Sequence, residues 1–297
     1  MKTTVIGLGL IGGSIAKDLR KAGLVTYVMG VDANPVHATK ALELALVDEI
    51  RSLEEALPVS DLVIVSIPVG AIQNALPRIL DLIPENAVVI DAGSTKSLIC
   101  EAVRDHAKRR QFVAAHPIAG TENSGPTAAF EGLFKNKMNI ICEREKSSRD
   151  ALALAEKVFT ALGMKTTFMD SKEHDKHVAY VSHLSHVSSF LLGQTVLDIE
   201  KDEKNIFTLA GSGFASTVRL AKSSPDMWAP IFTQNSMYLR RALEEYIAHL
   251  QRFLEHLVNN DSGELYRIME RANEIRRVLS GLETNASPAH TKSETIK

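Results

Sequence analysis

Three glycines near the start of the chain constrain its fold more than any other feature. Gly7, Gly9 and Gly12 form a G-x-G-x-x-G fingerprint, which follows a β-branched run at 3–6 and precedes a helical pattern at 14–20. In this setting the first glycine permits a tight turn, the second lets a pyrophosphate approach the backbone, and the third lets the helix pack on the strand. The N-terminus of that helix offers free N–H groups to phosphates. The pattern predicts a strand–turn–helix unit that binds a dinucleotide.

An acidic residue stands where such a unit would meet the adenosine ribose. Asp32 ends a second strand-like run and lies twenty residues beyond Gly12. A carboxylate there can accept hydrogen bonds from both ribose hydroxyls and would repel a 2′-phosphate, so the sequence favours NAD over NADP. The residues that we expect to contact the cofactor are Gly7, Leu8, Gly9, Leu10, Ile11, Gly12, Asp32, Ser66 and Pro68.

The composition excludes partners that require a strong electrostatic field. Lys plus Arg total 34 against 36 for Asp plus Glu, so no global charge attracts nucleic acid or an anionic membrane. The two cysteines show neither metal-ligand spacing nor a disulfide framework, which is typical of a reducing cytoplasm. The longest apolar stretch, at 178–197, carries too many serines and histidines for a membrane span. We therefore expect a cytoplasmic protein without a leader segment, which acts on a small molecule.

The hydrophobic patterning changes near residue 170. Before it, short apolar runs alternate with helical segments, which is typical of a parallel sheet covered on both faces. After it, long helical patterns take over, roughly at 173–200, 214–222, 225–258 and 262–279. We predict an α/β fold: an N-terminal Rossmann domain with a doubly wound parallel sheet at 1–169, then an all-helical substrate and dimerisation domain at 170–284. A polar tail at 285–297 is predicted to be disordered. The apolar surface of the long helices predicts a homodimer.

Polar residues that follow strands are candidates for the chemistry, because ligands of open parallel sheets bind beyond the carboxyl ends of the strands. Ser94 follows the run that ends at Asp91, and His116 follows the run that ends at Ala115. A histidine can take a proton from a hydroxyl as a hydride leaves the substrate, and a serine can orient that hydroxyl. The alternatives are a loop histidine bonded to its own backbone and a serine that caps a helix.

The helical half offers further candidates. His183 and His186 lie three residues apart on one helix face, but they lack a third ligand nearby, so hydrogen-bonded histidines are favoured and no metal is expected. Ser212 lies between two glycines, in a turn that either lets the backbone approach a ligand or separates two helices. Arg219 can grip a carboxylate with two parallel hydrogen bonds, or it can be a solvated surface charge.

Several short motifs, taken together, indicate a family. They are His-Pro-Ile-Ala-Gly-Thr-Glu at 116–122, Gly-Ser-Thr-Lys at 93–96, Val-Ser-His-Leu-Ser-His at 181–186, and Arg219 followed by Asp-Met-Trp at 226–228. In order and spacing the chain resembles the prephenate dehydrogenase family of tyrosine biosynthesis over roughly residues 3–280. Ser185 departs from the proline that this family commonly has there, and a serine would leave the helix straighter.

The resemblance implies a reaction in which prephenate and NAD give 4-hydroxyphenylpyruvate, carbon dioxide and NADH. It implies that His116 takes the proton of the ring hydroxyl, that Ser94 orients this hydroxyl, and that Arg219 pairs with the side-chain carboxylate. It also implies that Trp228 enters the pocket of a partner subunit. The expected substrate-binding residues are His186, Arg219, Thr121, Glu122, Ser212 and Trp228.

Two other functions stay open. An arogenate dehydrogenase would perform the same chemistry on an amino analogue, and Glu122 is close enough in sequence to His116 to accept a hydrogen bond from the ammonium. A non-catalytic NAD sensor could retain the fold, although the presence of Ser94, His116 and Arg219 argues against it. The His116 motif also argues against other Rossmann-plus-helical dehydrogenases and imine reductases. Neither a chorismate mutase domain nor an ACT domain is expected in this chain.

Overall fold

The computed structural model describes residues 1–201, 203 and 205–280 of the chain. It divides into two compact units, the first spanning Met1–Ala242 and the second beginning at Leu243. The predicted disordered tail at 285–297 lies outside the described residues. The predicted domain boundary at 169–170 stays a prediction.

The first unit is built on one mixed sheet. Its strands are β1 (Lys2–Ile6), β2 (Tyr27–Val31), β3 (Glu49–Ile50), β4 (Leu62–Val65), β5 (Val88–Asp91), β6 (Phe112–Pro117), β7 (Met138–Cys142) and β8 (Lys165–Met169). In the part of the chain that the structure describes, their order is β3-β2-β1-β4-β5-β6-β7-β8. All residues of β4 and β5 are buried, because these central strands are covered on both faces. The predicted Rossmann-type α/β class is confirmed.

Two strands, β7 and β8, run opposite to the rest of the sheet and so depart from the predicted parallel arrangement. β7 pairs with β6 in the antiparallel sense, with His116 opposite Ile140, whereas the other described strand pairs are parallel. A parallel neighbour requires a long crossover, which is usually a helix. The segment between these two strands, which we name the 118–137 connection, contains only one short helical turn, Pro126–Ala128. The chain therefore returns from the same edge of the sheet at which β6 ends.

Helices flank the sheet and continue beyond it. They are α1 (Leu10–Lys21), α2 (Pro35–Glu43), α3 (Leu53–Ala56), α4 (Val69–Leu82), α5 (Ser97–Ala102), α6 (Arg149–Ala161), α7 (Ser171–Val178), α8 (Leu184–Glu200), α9 (Ser212–Thr217), α10 (Pro225–Gln234), α11 (Ser236–Val258) and α12 (Ser262–Ala272). The long helix predicted near 173–200 forms as α7 and α8, joined by a π-helical turn at Ala179–His183. Such turns occur often at functional sites.

Two apolar clusters hold the first unit together, one on each face of the sheet. The first cluster contains Val5, Ile64 and Phe159. The second contains Val63 and also Trp228 and Ile231 of α10. Because α10 contributes to the second cluster, the helical region between 171 and 242 and the sheet share one core.

The second unit consists of the rest of α11 and the segments after it. Its described residues leave several large apolar side chains in contact with solvent. Leu250, Leu254 and Leu257 are more than half exposed, and they are spaced to lie on one helix face. Among the helices of the described residues, none combines the length and the apolar character that crossing a membrane requires.

Candidate active site

A tight turn at the end of β1 forms the first part of the candidate site. Gly7 has φ of +91°, a conformation that favours glycine, and its N–H donates to the Val31 carbonyl oxygen at 2.8 Å. A Cβ on Gly12 would overlap the Gly7 carbonyl oxygen and Ser66 Oγ, so only glycine lets α1 begin so close to β1. Ser66 Oγ donates to the carbonyl oxygen of Gly7 at 2.8 Å. The end of β4 therefore fixes the glycine turn.

The start of α1 is open to an anion. Gly9 occupies the position before the helix and provides no side chain to cap it, and the first turn contains no acidic residue. The nearest atom to a Cβ on Gly9 would be the Gly125 backbone nitrogen, at 3.9 Å. The side chains of Leu8 and Leu10 are buried, so any contact that they make with a cofactor would use their backbone. These features suit a pyrophosphate at the helix N-terminus.

Asp32 is held in place at the end of β2. Its Oδ2 accepts the N–H of Leu8 at 2.8 Å, and its Oδ1 accepts the N–H of Asn34 at 2.9 Å. A carboxylate has about four acceptor positions, so each oxygen retains capacity for a further donor. The carboxylate therefore lies at the glycine turn and can accept hydrogen bonds from two hydroxyl groups.

The 118–137 connection links the histidine strand to the glycine turn. Beyond His116 the chain runs over α1, where Phe130 N–H donates to Ser14 Oγ at 3.1 Å and Gly132 N–H donates to the Asp18 carboxylate at 2.9 Å. The proximity of Gly125 to Gly9 belongs to the same crossing. The antiparallel return of β7 thus keeps this connection at the cofactor edge of the sheet.

His116 is joined to a second histidine and then to a carboxylate. Its Nδ1 lies 2.8 Å from His174 Nε2, and the two rings meet edge-on with centroids 5.0 Å apart. His174 Nδ1 lies 2.9 Å from Asp175 Oδ1. Both His174 and Asp175 are buried on α7.

Sequence reasoning missed His174 and Asp175. They belong to the segment Ser-Lys-Glu-His-Asp-Lys-His-Val, whose charged composition resembles a solvated helix. One signal was available: Ser171, His174, Asp175 and Val178 are spaced as a single helix face, and all four are buried. A helix face that combines polar residues with an apolar one, as this face does, is consistent with polar side chains that are buried and hydrogen-bonded.

Asp175 connects α7 to the start of α5. Its Oδ1 accepts the N–H of Lys96 at 2.7 Å, and its Oδ2 accepts the N–H of Ser97 at 2.8 Å. Asn235, between α10 and α11, donates from Nδ2 to the Asp175 carbonyl oxygen at 2.7 Å and lies 3.0 Å from His183 Nδ1. These bonds fix α7 in both rotation and position.

A buried ion pair contacts the backbone of Ala115, next to His116 in the chain. The side chains of Lys96 and Asp91 are in contact and have no exposed surface. Lys96 Nζ donates to the Ala115 carbonyl oxygen at 2.7 Å, and Asp91 Oδ1 accepts the Ala115 N–H at 3.0 Å. The pair therefore fixes the backbone one residue before His116. Ser94 is half-buried on the loop between these two charged residues.

The surroundings keep the imidazoles of this network uncharged. Burial lowers the pKa of His116 well below its ordinary value, and the nearby His174, Lys96 and His183 lower it further. Burial lowers the pKa of His174 as well, against the opposing effect of Asp175. Although burial alone would raise the pKa of Asp175, hydrogen bonds from His174 and Ser97 hold it below its ordinary value. At neutral pH the network thus contains neutral rings and an ionised carboxylate.

The predicted substrate residues form two contacts. His186 stacks on Trp228 with ring centroids 3.4 Å apart and an angle of 23° between the planes. The Nδ1 atom of His186 lies 3.0 Å from the Ser182 carbonyl oxygen, and because a carbonyl only accepts, Nδ1 carries a proton. Trp228 is 7% exposed within its own chain, and its predicted place in a partner's pocket stays a prediction.

Arg219 and Glu122 form the second contact, at 3.3 Å, with both side chains partly exposed. The predicted carboxylate-binding residue therefore pairs with a residue of the 118–137 connection. Thr121 Oγ1 accepts the Asn123 N–H at 3.2 Å, and Ser212 is exposed at the start of α9. No group of three or more His, Cys, Asp and Glu side chains that could hold a metal ion occurs among the described residues.

An anion-ready glycine turn, a carboxylate beside it and a neutral imidazole at the same sheet edge define a dinucleotide-dependent dehydrogenase. Two family models match the chain: the nucleotide-binding domain of prephenate dehydrogenase at residues 15–168 and the dimerization domain of prephenate dehydrogenase at residues 170–271. The chain belongs to the prephenate dehydrogenase family, which confirms the resemblance inferred from its motifs.

Individual relatives agree with this assignment. A prephenate dehydrogenase of Bacillus subtilis is 30% identical, over 97% of this chain and 79% of its own length. The crystal structure of prephenate dehydrogenase from Aquifex aeolicus with hydroxyphenyl propionate and NAD+ is 31% identical, with a TM-score of 0.85 over 94% of this chain and 98% of that one. A Synechocystis arogenate dehydrogenase is 30% identical, with a TM-score of 0.74 over 94% of this chain and all of its own.

Proposed function

We propose that this chain is an NAD-dependent prephenate dehydrogenase, which converts prephenate to 4-hydroxyphenylpyruvate and carbon dioxide. The observation that carries the proposal is the neutral, half-buried His116 at the cofactor edge of the sheet, in a chain of this family. A base at that position can act on the substrate hydroxyl beside the nicotinamide.

The residues of the glycine turn fit NAD. Gly7 and Gly12 leave room for α1 to begin close to β1, and the first turn of α1 offers N–H groups to the pyrophosphate. Asp32 retains acceptor capacity for the ribose hydroxyls and opposes the 2′-phosphate of NADP. When bound, NAD accepts the hydride. The Aquifex aeolicus relative was solved with NAD+, which supports this choice of cofactor.

His116 then has two tasks in sequence. It takes the proton of the ring hydroxyl as the carbon–hydrogen bond at the same carbon breaks toward the nicotinamide. The neighbouring quaternary carbon releases its carboxylate as carbon dioxide, and the electron pair of that bond completes the aromatic ring. His116 returns its proton to the phenolate oxygen, so the reaction neither consumes nor releases a net proton. Ser94 orients the hydroxyl.

Arg219 binds the side-chain carboxylate of prephenate, the one that is not released as carbon dioxide. In the structure its guanidinium is paired with Glu122, so a substrate carboxylate would replace or share that partner. A charge-assisted hydrogen bond of this kind contributes about 1.5–3 kcal/mol. The half-buried His186, stacked on Trp228, provides a flat ring against which the substrate ring can lie, and Thr121 and Ser212 complete the proposed substrate site.

Arogenate dehydrogenase is the second candidate, and one observation favours it. Once Arg219 binds a substrate carboxylate, Glu122 would be left with an unpaired acceptor, which an ammonium group could satisfy. The relatives include an arogenate dehydrogenase at 30% identity. The two substrates differ only in the keto or amino group of the side chain, so the same His116 chemistry serves both.

We also propose that two chains form a homodimer through the helical region. The dimerization model of the family covers residues 170–271, and Leu250, Leu254 and Leu257 expose a continuous apolar face. Light scattering after gel filtration should give twice the mass of the chain, and a single-chain mass would contradict this proposal.

The two cysteines, Cys100 and Cys142, are free and buried, which supports a cytoplasmic location.

The direct test follows NADH absorbance with purified protein, NAD and either prephenate or L-arogenate, and then identifies the product. Turnover of prephenate to 4-hydroxyphenylpyruvate supports the first candidate. Turnover of arogenate alone selects the second candidate. If NAD binds but neither substrate is turned over, both are contradicted in favour of a non-catalytic sensor.

A further inference from the structure

The hydrogen bonds around Asp175 determine where the protons of the two histidines lie. Asp175 accepts two backbone N–H groups, from Lys96 and Ser97, and these can only donate. His174 Nδ1 lies 2.9 Å from the same carboxylate, so this nitrogen carries a proton. In a neutral ring the other nitrogen, Nε2 of His174, then has a free lone pair.

The proton position on His116 follows from that on His174. Its Nδ1 lies 2.8 Å from the His174 Nε2 atom, which accepts, so Nδ1 of His116 must donate. The proton of a neutral His116 is therefore on Nδ1, and its Nε2 is unprotonated. Only this tautomer leaves the outer nitrogen able to accept a proton from a substrate.

We propose that His174 and Asp175 are positioning residues that select the reactive tautomer of His116 and stabilise its protonated form. The proposal rests on the proposed function, in which His116 is the base. When His116 gains a proton at Nε2, its Nδ1–H continues to donate to His174, and His174 donates to the ionised Asp175. The carboxylate thereby stabilises the positive charge across one neutral ring. In serine proteases an aspartate acts on the adjacent histidine in the same two ways.

The opposite arrangement requires a charged His174, and the surroundings disfavour it. If both His174 nitrogens carried protons, Nδ1 of His116 would accept and its Nε2 would be protonated and unreactive. His174 is completely buried, and the cation of Lys96 faces the same network. The other titratable groups near the two rings are Asp91, Asp175 and His183, and Asp91 is already paired with Lys96.

The geometry is too constrained for the pair to be incidental. Asp175 is held by α5 through two amides and by Asn235 through its carbonyl oxygen. Because these bonds join α7 both to the start of α5 and to the junction of α10 and α11, a rotation of α7 would break several of them together. The precise placement of His174 Nε2 is the result.

The test compares two substitutions of His174 in the full-length protein. His174→Phe keeps the ring volume but removes the acceptor, and we expect kcat with prephenate to fall about ten- to a hundredfold, with KM and NAD binding within about twofold. His174→Gln places an amide oxygen near the original Nε2, so it should recover most of the lost kcat. The matched control is His177→Phe, on the exposed face of the same helix, which should leave kcat unchanged.

These kinetics separate positioning from a structural role. A merely structural residue would not be rescued by glutamine, because the two replacements differ chiefly in the acceptor that they offer to Nδ1 of His116. If His174→Phe retains wild-type kcat, or if His174→Gln is as impaired as His174→Phe, the proposal is wrong.

A second measurement needs no turnover and no variant of His174. Nitrogen-15 NMR of histidine-labelled wild-type protein with NAD reports which ring nitrogen of each histidine carries a proton, and a His116→Asn sample assigns the His116 signals. We expect the Nδ1–H tautomer at His116. A protonated Nε2 at neutral pH overturns the inference. The Nδ1–H tautomer in a protein that turns over neither cyclohexadiene substrate would support it while contradicting the proposed function.

Discussion

The cofactor turn and the histidine network lie at one edge of the same sheet, but different kinds of interaction hold them. The turn is fixed by backbone geometry, through the positive φ of Gly7 and the close contact at Gly12. The network is fixed by side chains that are far apart in the sequence: His174 is 58 residues from His116, and Asp175 is 79 residues from Lys96.

This difference explains what each region can tolerate. A glycine turn depends on the absence of side chains, so it is lost when atoms are added. A hydrogen-bonded network depends on complete pairing, so it is lost when one partner is removed and the others remain buried. Substitutions in the network should therefore affect stability and chemistry together, whereas substitutions at Asp32 should affect cofactor affinity alone.

The largest expected effect is on the buried ion pair of the network. Lys96→Met leaves the Asp91 carboxylate buried without its cation, and we expect the free energy of unfolding to fall by about 3–5 kcal/mol in urea denaturation. The matched control is Lys40→Met, which breaks the exposed Lys40–Glu43 pair and should cost less than about 1 kcal/mol. Equal losses in the two variants would contradict the importance given to the network.

The next effect is on the proposed base, His116. His116→Asn removes the proton acceptor, and we expect kcat with prephenate to fall by about a hundredfold or more. Affinity for NAD, measured by quenching of Trp228 fluorescence or by calorimetry, should stay near that of the wild-type protein. Near-normal turnover would remove His116 from this role.

A smaller effect is expected on the substrate side. Arg219→Ala removes the guanidinium, and we expect KM for prephenate to rise about ten- to a hundredfold with a smaller loss of kcat, which corresponds to about 1.5–3 kcal/mol. Arg78→Ala, which breaks the exposed contact with Glu54, is the matched control and should leave KM unchanged. An unchanged KM in Arg219→Ala would contradict the assignment.

In the cofactor turn, a substitution of Asp32 should have an effect similar to or smaller than that of Arg219→Ala. In Asp32→Asn the amide oxygen replaces only one of the two carboxylate acceptors, so one of the two N–H groups, of Leu8 or of Asn34, loses its partner, and the negative charge is lost. We expect KM for NAD to rise about tenfold and the preference over NADP to narrow, with kcat at saturating NAD nearly unchanged. A loss confined to kcat would show that the two regions are less independent than the structure indicates.

The smallest effect concerns the pH at which activity is lost. Burial lowers the pKa of His116 well below 6.5, and His174, Lys96 and His183 lower it further; the proposed base acts in its neutral form. Activity should therefore be present above this pKa and should fall as the pH drops through it. The acidic limb of kcat/KM for the wild-type protein should have its midpoint below pH 6.5, and a midpoint above that value would contradict the description of His116.

The two regions also differ in how well the sequence predicted them. The glycine turn, Asp32 and the central strands follow from local spacing, because each depends on residues that are neighbours in the chain or in one βαβ unit. The reversed direction of β7 and β8 was not predicted, since apolar runs indicate a buried strand but not its direction. The break at Asn235 of the helix predicted at 225–258 was also missed, and that residue bonds to Asp175.

The least predictable part is the partner of each proposed catalytic side chain. His116 and Ser94 were predicted to be catalytic because they follow strands, but nothing in the local sequence connects His116 to His174. Likewise, Arg219 and Glu122 were each predicted to face the substrate, whereas their ion pair joins residues 97 positions apart. Such pairings arise only when the sheet and the helical region form one core.

The most direct test of the account uses prephenate that carries deuterium on the ring carbon that bears the hydroxyl. With purified protein and NAD, the account predicts that the deuterium appears in the reduced nicotinamide while 4-hydroxyphenylpyruvate and carbon dioxide form in equal amounts, and that His116→Asn abolishes most of this transfer. Formation of NADH without deuterium, or of 4-hydroxyphenylpyruvate without NADH, would contradict it.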